Sequence, residues 1–485
     1  MLLKDLLNGL KTEFTKGNLE IDISDIAYDS RKVKKDSLFV CIDGTTTDGH
    51  KYIQQAFENG AAAFLTSRQA DIPEGTAEIR IENTRLGLAF VVDKFFEHPT
   101  GKLPLVGVTG TKGKTTTTFM IKQILEKENK KVGLIGTIEN MIGQEVLYTE
   151  RTTPEAYDLQ ALFCEMIEKN TDVAVMEVSS QGVMLDRVAF CDYEIGVFTN
   201  IESDHIGPNE HVDFEDYFTQ KLRFLPMCKK VLINADMHYV DRVKTNAPNG
   251  FMTYGIVNNA DVFAKNISAK PDSIEFDVST PWWSDRIILS VPGTFNVSNA
   301  LAAIAVCALL GVSKQAILDG LADFKVKGRT EIVFSNKKFT VMIDYAHNAM
   351  ALESLLKAVR QYAPGRIVCL FGCGGNRDRS RRFEMGEVSG KFADYTIITS
   401  DNPRNEEPDA IIDDIEVGMK KTDGKYIKIT KRPEAMRFAI ENAQQNDIII
   451  FAGKGHETYQ IFKDKTIHFD EREIVAEILK ELKIN

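Results

Sequence analysis

The chain predicts an α/β protein of three domains: a small N-terminal α/β domain, a central parallel-sheet domain, and a C-terminal doubly wound, Rossmann-like domain. Three observations carry this. The 485 residues allow about three domains at ~150 residues each. Short apolar runs alternate with helix-patterned segments, the rhythm of parallel sheets covered by helices. A Gly-rich turn stands directly between one such run and the helix after it. With 43% hydrophobic and 27% charged residues, disorder, collagen and disulfide scaffolds are excluded as whole-chain readings.

Residues 1–100 form the first block. Leu38 to Ile42 reads as a buried strand closed by the turn Asp43-Gly44, Gln54 to Ala61 as a helix, and Ala62 to Leu65 as a second strand. His98 to Pro104, with two Pro and a Gly, reads as a linker. Residues 101–328 form the second block. Its strands are Leu105–Val108, Val173–Met176 and Ile195–Phe198, with a helix over Thr116–Lys127. Residues 329–485 form the third. Val341–Ile343, Ile367–Phe371, Tyr395–Ile398 and Ile448–Phe451 are its strands, and Ala349–Tyr362 is a helix.

A formal net charge of -11 disfavours a duplex-binding role, since a nucleic-acid coat is basic. The first eight residues are broken by Lys4, Asp5 and Asn8, so no signal-peptide core is expected. The most apolar helical stretch, Ala300–Leu310, is far too short for a ~30 Å hydrocarbon layer, and no membrane insertion is expected. The seven Cys are odd in number and scattered. They read as reduced, buried small hydrophobes in a cytoplasmic protein.

Gly110, Thr111, Lys112, Gly113, Lys114, Thr115 and Thr116 lie between a strand and a helix, the context of a phosphate-binding loop. Glycines let backbone N–H groups approach phosphate, and the helix N-terminus adds its positive end. Lys114 is suited to the β/γ-phosphates and the Thr115 hydroxyl to Mg²⁺. Val108 stands where the general pattern has its first Gly. The bland alternative is a strand–helix turn that merely requires Gly.

The loop Gly110–Thr115 resembles that of the Mur ligases, ATP-dependent amide ligases of peptidoglycan synthesis. Further motifs follow in that family's order: Glu177-Val178-Ser179-Ser180, Thr199-Asn200 with Asp204-His205, and Gly293 to Asn299. Asp344-Tyr345-Ala346-His347 and Gly372 to Asp378 continue the series. The resemblance spans essentially the whole chain. Within the family, Asp29-Ser30-Arg31 with Asp48-Gly49-His50, Thr152-Thr153-Pro154-Glu155, and Asp401-Asn402-Pro403-Arg404 resemble members that add meso-diaminopimelate. The resemblance implies an N-terminal UDP-binding domain, a central P-loop ATPase domain and a C-terminal amino-acid-binding domain. It implies a monomer whose substrates are ATP, UDP-N-acetylmuramoyl-L-alanyl-D-glutamate and meso-diaminopimelate, with Mg²⁺ as cofactor.

Residue roles follow by the same resemblance. Lys114, Glu177, His205 and Lys221 are expected to be catalytic. Thr115, Glu177, His205 and Lys221 would form the metal site, with Lys221 carbamylated. Alone, Glu177 reads as a cap or surface carboxylate, His205 as a structural His and Lys221 as a solvated helix-face Lys. Asn296, Asn299, Arg329, Asp344 and His347 join the loop in binding ATP; as residues, the two Asn also read as N-caps. Ser30, Thr152, Thr153, Glu155, Ser179 and Arg187 are expected on the UDP-sugar-peptide. Arg377, Asp401, Asn402, Arg404, Gly453 and Glu457 are expected on diaminopimelate. Planar guanidinium groups fit its distal carboxylate, and Glu457 its ammonium. The alternative for Arg404 is a surface ion pair with Glu406 or Glu407.

Two departures stand out. Gln181 replaces the family's frequent His, and Ile206 to His211 differs from the commoner acidic continuation. Another diamino acid (lysine or lanthionine), a folylpolyglutamate- or cyanophycin-type ligase, and a non-catalytic nucleotide-binding regulator are the competing functions. The loop and Arg329 fall in different blocks, so a hinge near Lys327-Gly328 is expected.

Overall fold

Runs of Val, Ile, Leu and Phe bounded by Gly, Asp and Asn become the strands of this protein. The structure is a computed structural model. It describes every residue except Thr45, Thr46, His205, Pro208, Asn209, Pro271, Asp272 and Asn485. Two compact units emerge: Met1–Val262 with Ala302–Ile317, and Phe263–Leu301 with Leu318–Asn485.

The first unit holds two sheets. The N-terminal one uses β1 (Phe14–Lys16), β2 (Asp25–Ala27), β3 (Ser37–Val40), β4 (Ala61–Thr66) and β5 (Ala77–Arg80), in the order β1-β5-β4-β3-β2. Strands β2 to β5 run parallel, and β1 is antiparallel on β5. The larger sheet contains β6 (Leu105–Thr109), β7 (Val132–Ile135), β8 (Asn140–Ile142), β9 (Glu145–Leu147), β10 (Val173–Glu177), β11 (Tyr193–Phe198), β12 (Cys228–Asn234) and β13 (Phe251–Gly255). Their order is β13-β12-β11-β6-β10-β7-β8-β9. The first six of these are parallel; β8 and β9 form an antiparallel edge.

Strand β6 is flanked by β10 and β11, with Glu177 opposite Val108 and Phe198 opposite Thr109. The winding direction therefore reverses at β6, and the carboxyl ends of three strands open there, the place where parallel sheets hold ligands. All five residues of β6 and of β10 are buried, as a sheet covered on both faces requires. Glu177 is the last residue of β10, so it belongs to the strand rather than following it. The helix after the loop starts at Lys114, a half-turn earlier than its apolar pattern predicts. The expected linker at 98–104 is instead a packed connector: Pro99, Thr100 and Leu103 are buried, and Leu103 joins the core under the larger sheet. Its Pro and Gly make a tight 3₁₀ turn over Pro99–Gly101, so they mark a bend rather than a flexible joint.

The second unit contains antiparallel strands β14 (Val262–Ala269), β15 (Ile274–Ser279) and β16 (Ser284–Leu289). Its main sheet comprises β17 (Glu331–Ser335), β18 (Phe339–Asp344), β19 (Ile367–Phe371), β20 (Tyr395–Ile398), β21 (Tyr426–Lys428) and β22 (Asp447–Ala452), in the order β17-β18-β22-β19-β20-β21. Only β17 is antiparallel. Alternate residues serve opposite faces, because successive strand side chains point oppositely. Met342, Ile448 and Ile450 pack with helices Ala349–Arg360, Ser380–Phe392 and Pro408–Met419. Val341, Ile343, Ile449 and Phe451 pack with helices Arg432–Glu441 and Glu471–Glu481. This is the doubly wound arrangement.

The seven cysteines are free thiols, all but Cys164 buried, and burial pushes those of Cys369 and Cys373 up to about 12. Among the described residues, no helix is long and apolar enough to cross a membrane.

Candidate active site

The loop after β6 turns through two glycines in left-handed backbone, Gly110 at φ 140° and Gly113 at φ 86°. A side chain at Gly110 would lie 2.0 Å from Thr199 Oγ1, so only Gly fits. No side chain caps helix Lys114–Lys127, whose N-terminus attracts anions. The strand-end residues Thr199 and Asn200 brace the loop. Lys112 N donates to Asn200 Oδ1 (2.8 Å), and Thr199 Oγ1 donates to Lys112 O (2.7 Å). Lys114 Nζ lies across the loop, donating to the carbonyls of Gly110 (2.9 Å) and Thr111 (3.0 Å).

Glu177 comes up beside the loop, 1% exposed. Both of its carboxylate oxygens are 3.0 Å from Thr115 Oγ1. Thr137 binds them too, through N (2.9 Å) and Oγ1 (3.0 Å). Lys221, in helix Phe214–Leu222, is also 1% exposed. It is therefore not a solvated helix-face lysine. Its amine donates to Gly110 O (2.9 Å) and lies 4.8 Å over the Tyr217 ring. Burial, reinforced by the Lys114 ammonium and opposed by Asp204, holds that amine well below the ordinary lysine range. The structure thus brings Lys114, Thr115, Glu177 and Lys221 to one place. The expected partner His205 lies outside the described residues.

Thr153 links this center to a second cluster: its Oγ1 donates to Glu177 O (2.9 Å), while its own carbonyl accepts from Arg187 Nη1 (3.1 Å). Arg187 Nη2 pairs with the buried Glu155 at 2.9 Å. Arg85 and Arg151 also reach Glu155, at 3.4 and 3.6 Å. Three guanidinium groups on one carboxylate leave a local excess of positive charge, suited to an anionic substrate. Burial lowers the pKa of Arg187 despite Glu155. Thr152 Oγ1 meets Thr137 Oγ1 at 2.9 Å, and Ser179 Oγ accepts from Gly182 N as a helix cap. Ser30 stands apart from these, in the N-terminal sheet's loop, donating to Gln55 Oε1 at 2.8 Å.

In the second unit, Asn296 and Asn299 sit inside helix Thr294–Leu309, so neither is an N-cap. Asn296 Nδ2 donates instead to Pro292 O (2.7 Å) and faces Thr330 Oγ1 (3.5 Å); Asn299 Nδ2 donates to Asn296 Oδ1 (3.1 Å). Next to Thr330, the Arg329 guanidinium stacks on Tyr345 at 4.7 Å. Asp344 accepts from Thr330 N and Ala346 N (2.7 and 2.9 Å), and burial raises its pKa. His347, an exposed side chain, bonds Tyr345 O through Nδ1.

The residues expected on diaminopimelate lie after the ends of β19, β20 and β22. Asn402 Nδ2 donates to Glu457 Oε2 (2.9 Å). Gly453, at φ 106°, passes Asp401 so closely that a Cβ would lie 3.2 Å from its Oδ2. Arg377 and Arg404 flank Gly374, where a Cβ would meet both side chains. Arg404 Nη1 donates to Gly375 O (2.9 Å), whereas Glu406 is taken by Arg382 at 2.8 Å. The ion pair of Arg404 with Glu406 or Glu407 is not what the structure shows. Lys454 escaped the sequence reading: it is fully buried and donates to Glu457 Oε2 (3.1 Å) and Asn402 Oδ1 (3.3 Å). Its signal was its place between Gly453 and Gly455. Arg85 and Arg151 escaped as well, since nothing local ties them to Glu155.

Three family models match the chain: the Mur ligase family catalytic domain over 22–91, the Mur ligase middle domain over 108–307, and the Mur ligase glutamate ligase domain over 328–455. A UDP-N-acetylmuramoyl-L-alanyl-D-glutamate--2,6-diaminopimelate ligase of Caldanaerobacter subterraneus subsp. tengcongensis is 47% identical over 482 residues, covering 99% of each chain. One from Clostridium acetobutylicum is 43% identical over 485 residues, covering 99% of this chain and 100% of the relative. A solved structure of such a ligase superposes with a TM-score of 0.73 at 26% identity, covering 100% of this chain and 99% of the other. A loop, carboxylate and lysine gathered at three strand ends, and full-length likeness at this level, lead to one conclusion: the chain belongs to the Mur ligase family.

Proposed function

We propose that this protein is the ATP-dependent ligase that adds meso-diaminopimelate to UDP-N-acetylmuramoyl-L-alanyl-D-glutamate, in cytoplasmic peptidoglycan precursor synthesis. The observation that carries the reading is the gathering of Lys114, Thr115, Glu177 and Lys221 at the carboxyl ends of β6, β10 and β11. It stands in a chain matched end to end by curated diaminopimelate ligases. The division 1–100, 101–328 and 329–485 into UDP-binding, ATP-binding and amino-acid-binding domains is supported by the three family-model matches.

The reaction begins with two anions: the D-glutamyl carboxylate attacks the γ-phosphorus of ATP, giving an acyl phosphate and ADP. The diaminopimelate amine then attacks the acyl carbon and expels phosphate. Lys114 and the helix N-terminus hold the triphosphate. Thr115 Oγ1 and both Glu177 oxygens are hard donors held within 3.0 Å, a set that fits Mg²⁺. When bound, Mg²⁺ supplies charge neutralisation between triphosphate and carboxylate. Lys221 suits carbamylation because its depressed pKa favours the neutral amine: the amine nitrogen bonds the carbon of CO₂ and releases a proton. Arg187 with Arg85 and Arg151 offers charge for the UDP-sugar-peptide. Arg377 and Arg404 would fork onto the distal carboxylate of diaminopimelate, and Glu457 would face its ammonium.

The test is a panel of amino acids incubated with enzyme, ATP and the UDP-dipeptide, read by product mass. The tripeptide product is expected with meso-diaminopimelate. No product with any diamino acid would sink the reading.

A further inference from the structure

The segment Ile206 to His211, which departs from the family's usual sequence, carries a buried histidine with no part in the reaction described above. His211 is fully buried. Its Nδ1 lies 3.0 Å from Asp216 Oδ2 and its Nε2 2.9 Å from Ser180 Oγ. A carboxylate only accepts, so in the neutral ring Nδ1 carries the proton and Nε2 receives the Ser180 hydroxyl. The ring also packs edge-on against Tyr217 at 5.2 Å, and the Tyr217 hydroxyl meets Thr111 Oγ1 of the phosphate loop at 3.0 Å. Although the order Ser–His–Asp is that of a nucleophilic triad, Ser180 is 4% exposed. A substrate carbonyl has no access to it.

What the three groups join is more telling. Ser180 lies three residues past Glu177, and Asp216 lies five before Lys221 on the same helix. The charge of Asp204, seven residues before His211 in the sequence, acts on the Lys221 amine. We propose that His211 is a positioning residue: through Ser180, Asp216 and Tyr217 it locks the segments bearing Glu177, Lys221 and the phosphate loop into one geometry. This rests on the reading of those groups as the reaction center. Buried side-chain networks of this kind fix geometry at a site because each lost bond leaves a polar group unsatisfied.

The test compares wild type with His211→Leu, His211→Gln, Ser180→Ala and Asp216→Asn. Mn²⁺ binding with a non-hydrolysable ATP analogue is read by electron paramagnetic resonance, alongside kcat, KM and thermal melts. His211→Leu is expected to weaken Mn²⁺–nucleotide binding by on the order of ten-fold and to lower kcat more. KM for the amino acid should stay unchanged. His211→Gln, which can restore one bond, should recover part of both. A His211→Leu protein that melts lower yet keeps Mn²⁺–nucleotide affinity and kcat within about two-fold overturns the proposal. If His211→Leu does not fold, Ser180→Ala and Asp216→Asn decide by the same binding readout, and unchanged affinity in both overturns it. Wild type that binds Mn²⁺–nucleotide but makes no tripeptide counts against the proposed function alone.

Discussion

A lysine amine and a glutamate carboxylate, each 1% exposed, define the center of this protein. Lys221→Ala is expected to fold and to lower kcat on the order of 10²-fold or more, as loss of a preorganised charged group does; near-normal kcat would remove Lys221 from the center. A second titration belongs to His456. Burial, with Arg329, Arg472 and His347 adding to it, lowers its pKa from 6.5 to about 4. Between these values the unfolded chain binds the extra proton, so this group makes stability rise with pH across that window and level off above it. The contribution is at most about 3 kcal/mol. Urea unfolding at pH 4.5 and 7 should show a larger acid loss for wild type than for His456→Asn; equal losses would refute the assignment. The sequence made Lys221 legible only through its motif. Its burial was not legible, because a lysine in the last turn of an amphipathic helix is ordinarily solvated and only the packing of Tyr217 and Gly110 decides otherwise. Arg85, Arg151 and Arg187 were illegible as a group for a similar reason: they meet only through the fold.

The loop between β6 and its helix is the element proposed to hold the nucleotide. Gly110→Ala combines a left-handed φ with a clash against Thr199 and the Asn200 backbone. We expect it to cost on the order of 2 kcal/mol and to weaken nucleotide binding strongly. Chemical denaturation and nucleotide titration would read the two effects separately, and intact nucleotide affinity would show that the loop tolerates a Cβ. Interior strands were the most legible elements, because a sheet buried on both faces leaves continuous apolar runs such as Ile367–Phe371 and Ile448–Phe451. The edge hairpin β8–β9 and the antiparallel set β14–β16 gave no such run. Glu145 and Val146 are exposed, and β15 alternates buried Ile274, Phe276 and Val278 with partly exposed residues. The Pro and Gly at 98–104 were legible as a linker but not as a packed bend, since burial of Leu103 depends on the sheet below it.

At the scale of the whole molecule the net charge of -11 conceals local pools of the opposite sign. One is the phosphate loop with Lys112 and Lys114, another the three arginines around Glu155, a third the pair Arg377 and Arg404. Their distribution predicts tight coupling of the reactants. Phosphate release should require ATP, the UDP-dipeptide and the amino acid together, and a colorimetric phosphate assay with each omitted in turn checks it. Lysine, which lacks the distal carboxylate, should react at least ~100-fold less efficiently by kcat/KM, because it leaves the arginine pair unpaired in a closed site. Comparable efficiency would place selection elsewhere.

Lys454 gives Glu457, the proposed partner of the amino acid's ammonium, a standing counter-ion. Its ammonium already serves Glu457 and Asn402 from the protein side, so Glu457 is not an unpaired carboxylate waiting for a cation. An arriving amino acid gains little by merely bringing a positive charge, since that need is largely met before it enters. Discrimination is thereby displaced to the far end of the ligand. A visitor with an ammonium but no second carboxylate finds one end of the pocket satisfied without it and the other end left unsatisfied by it.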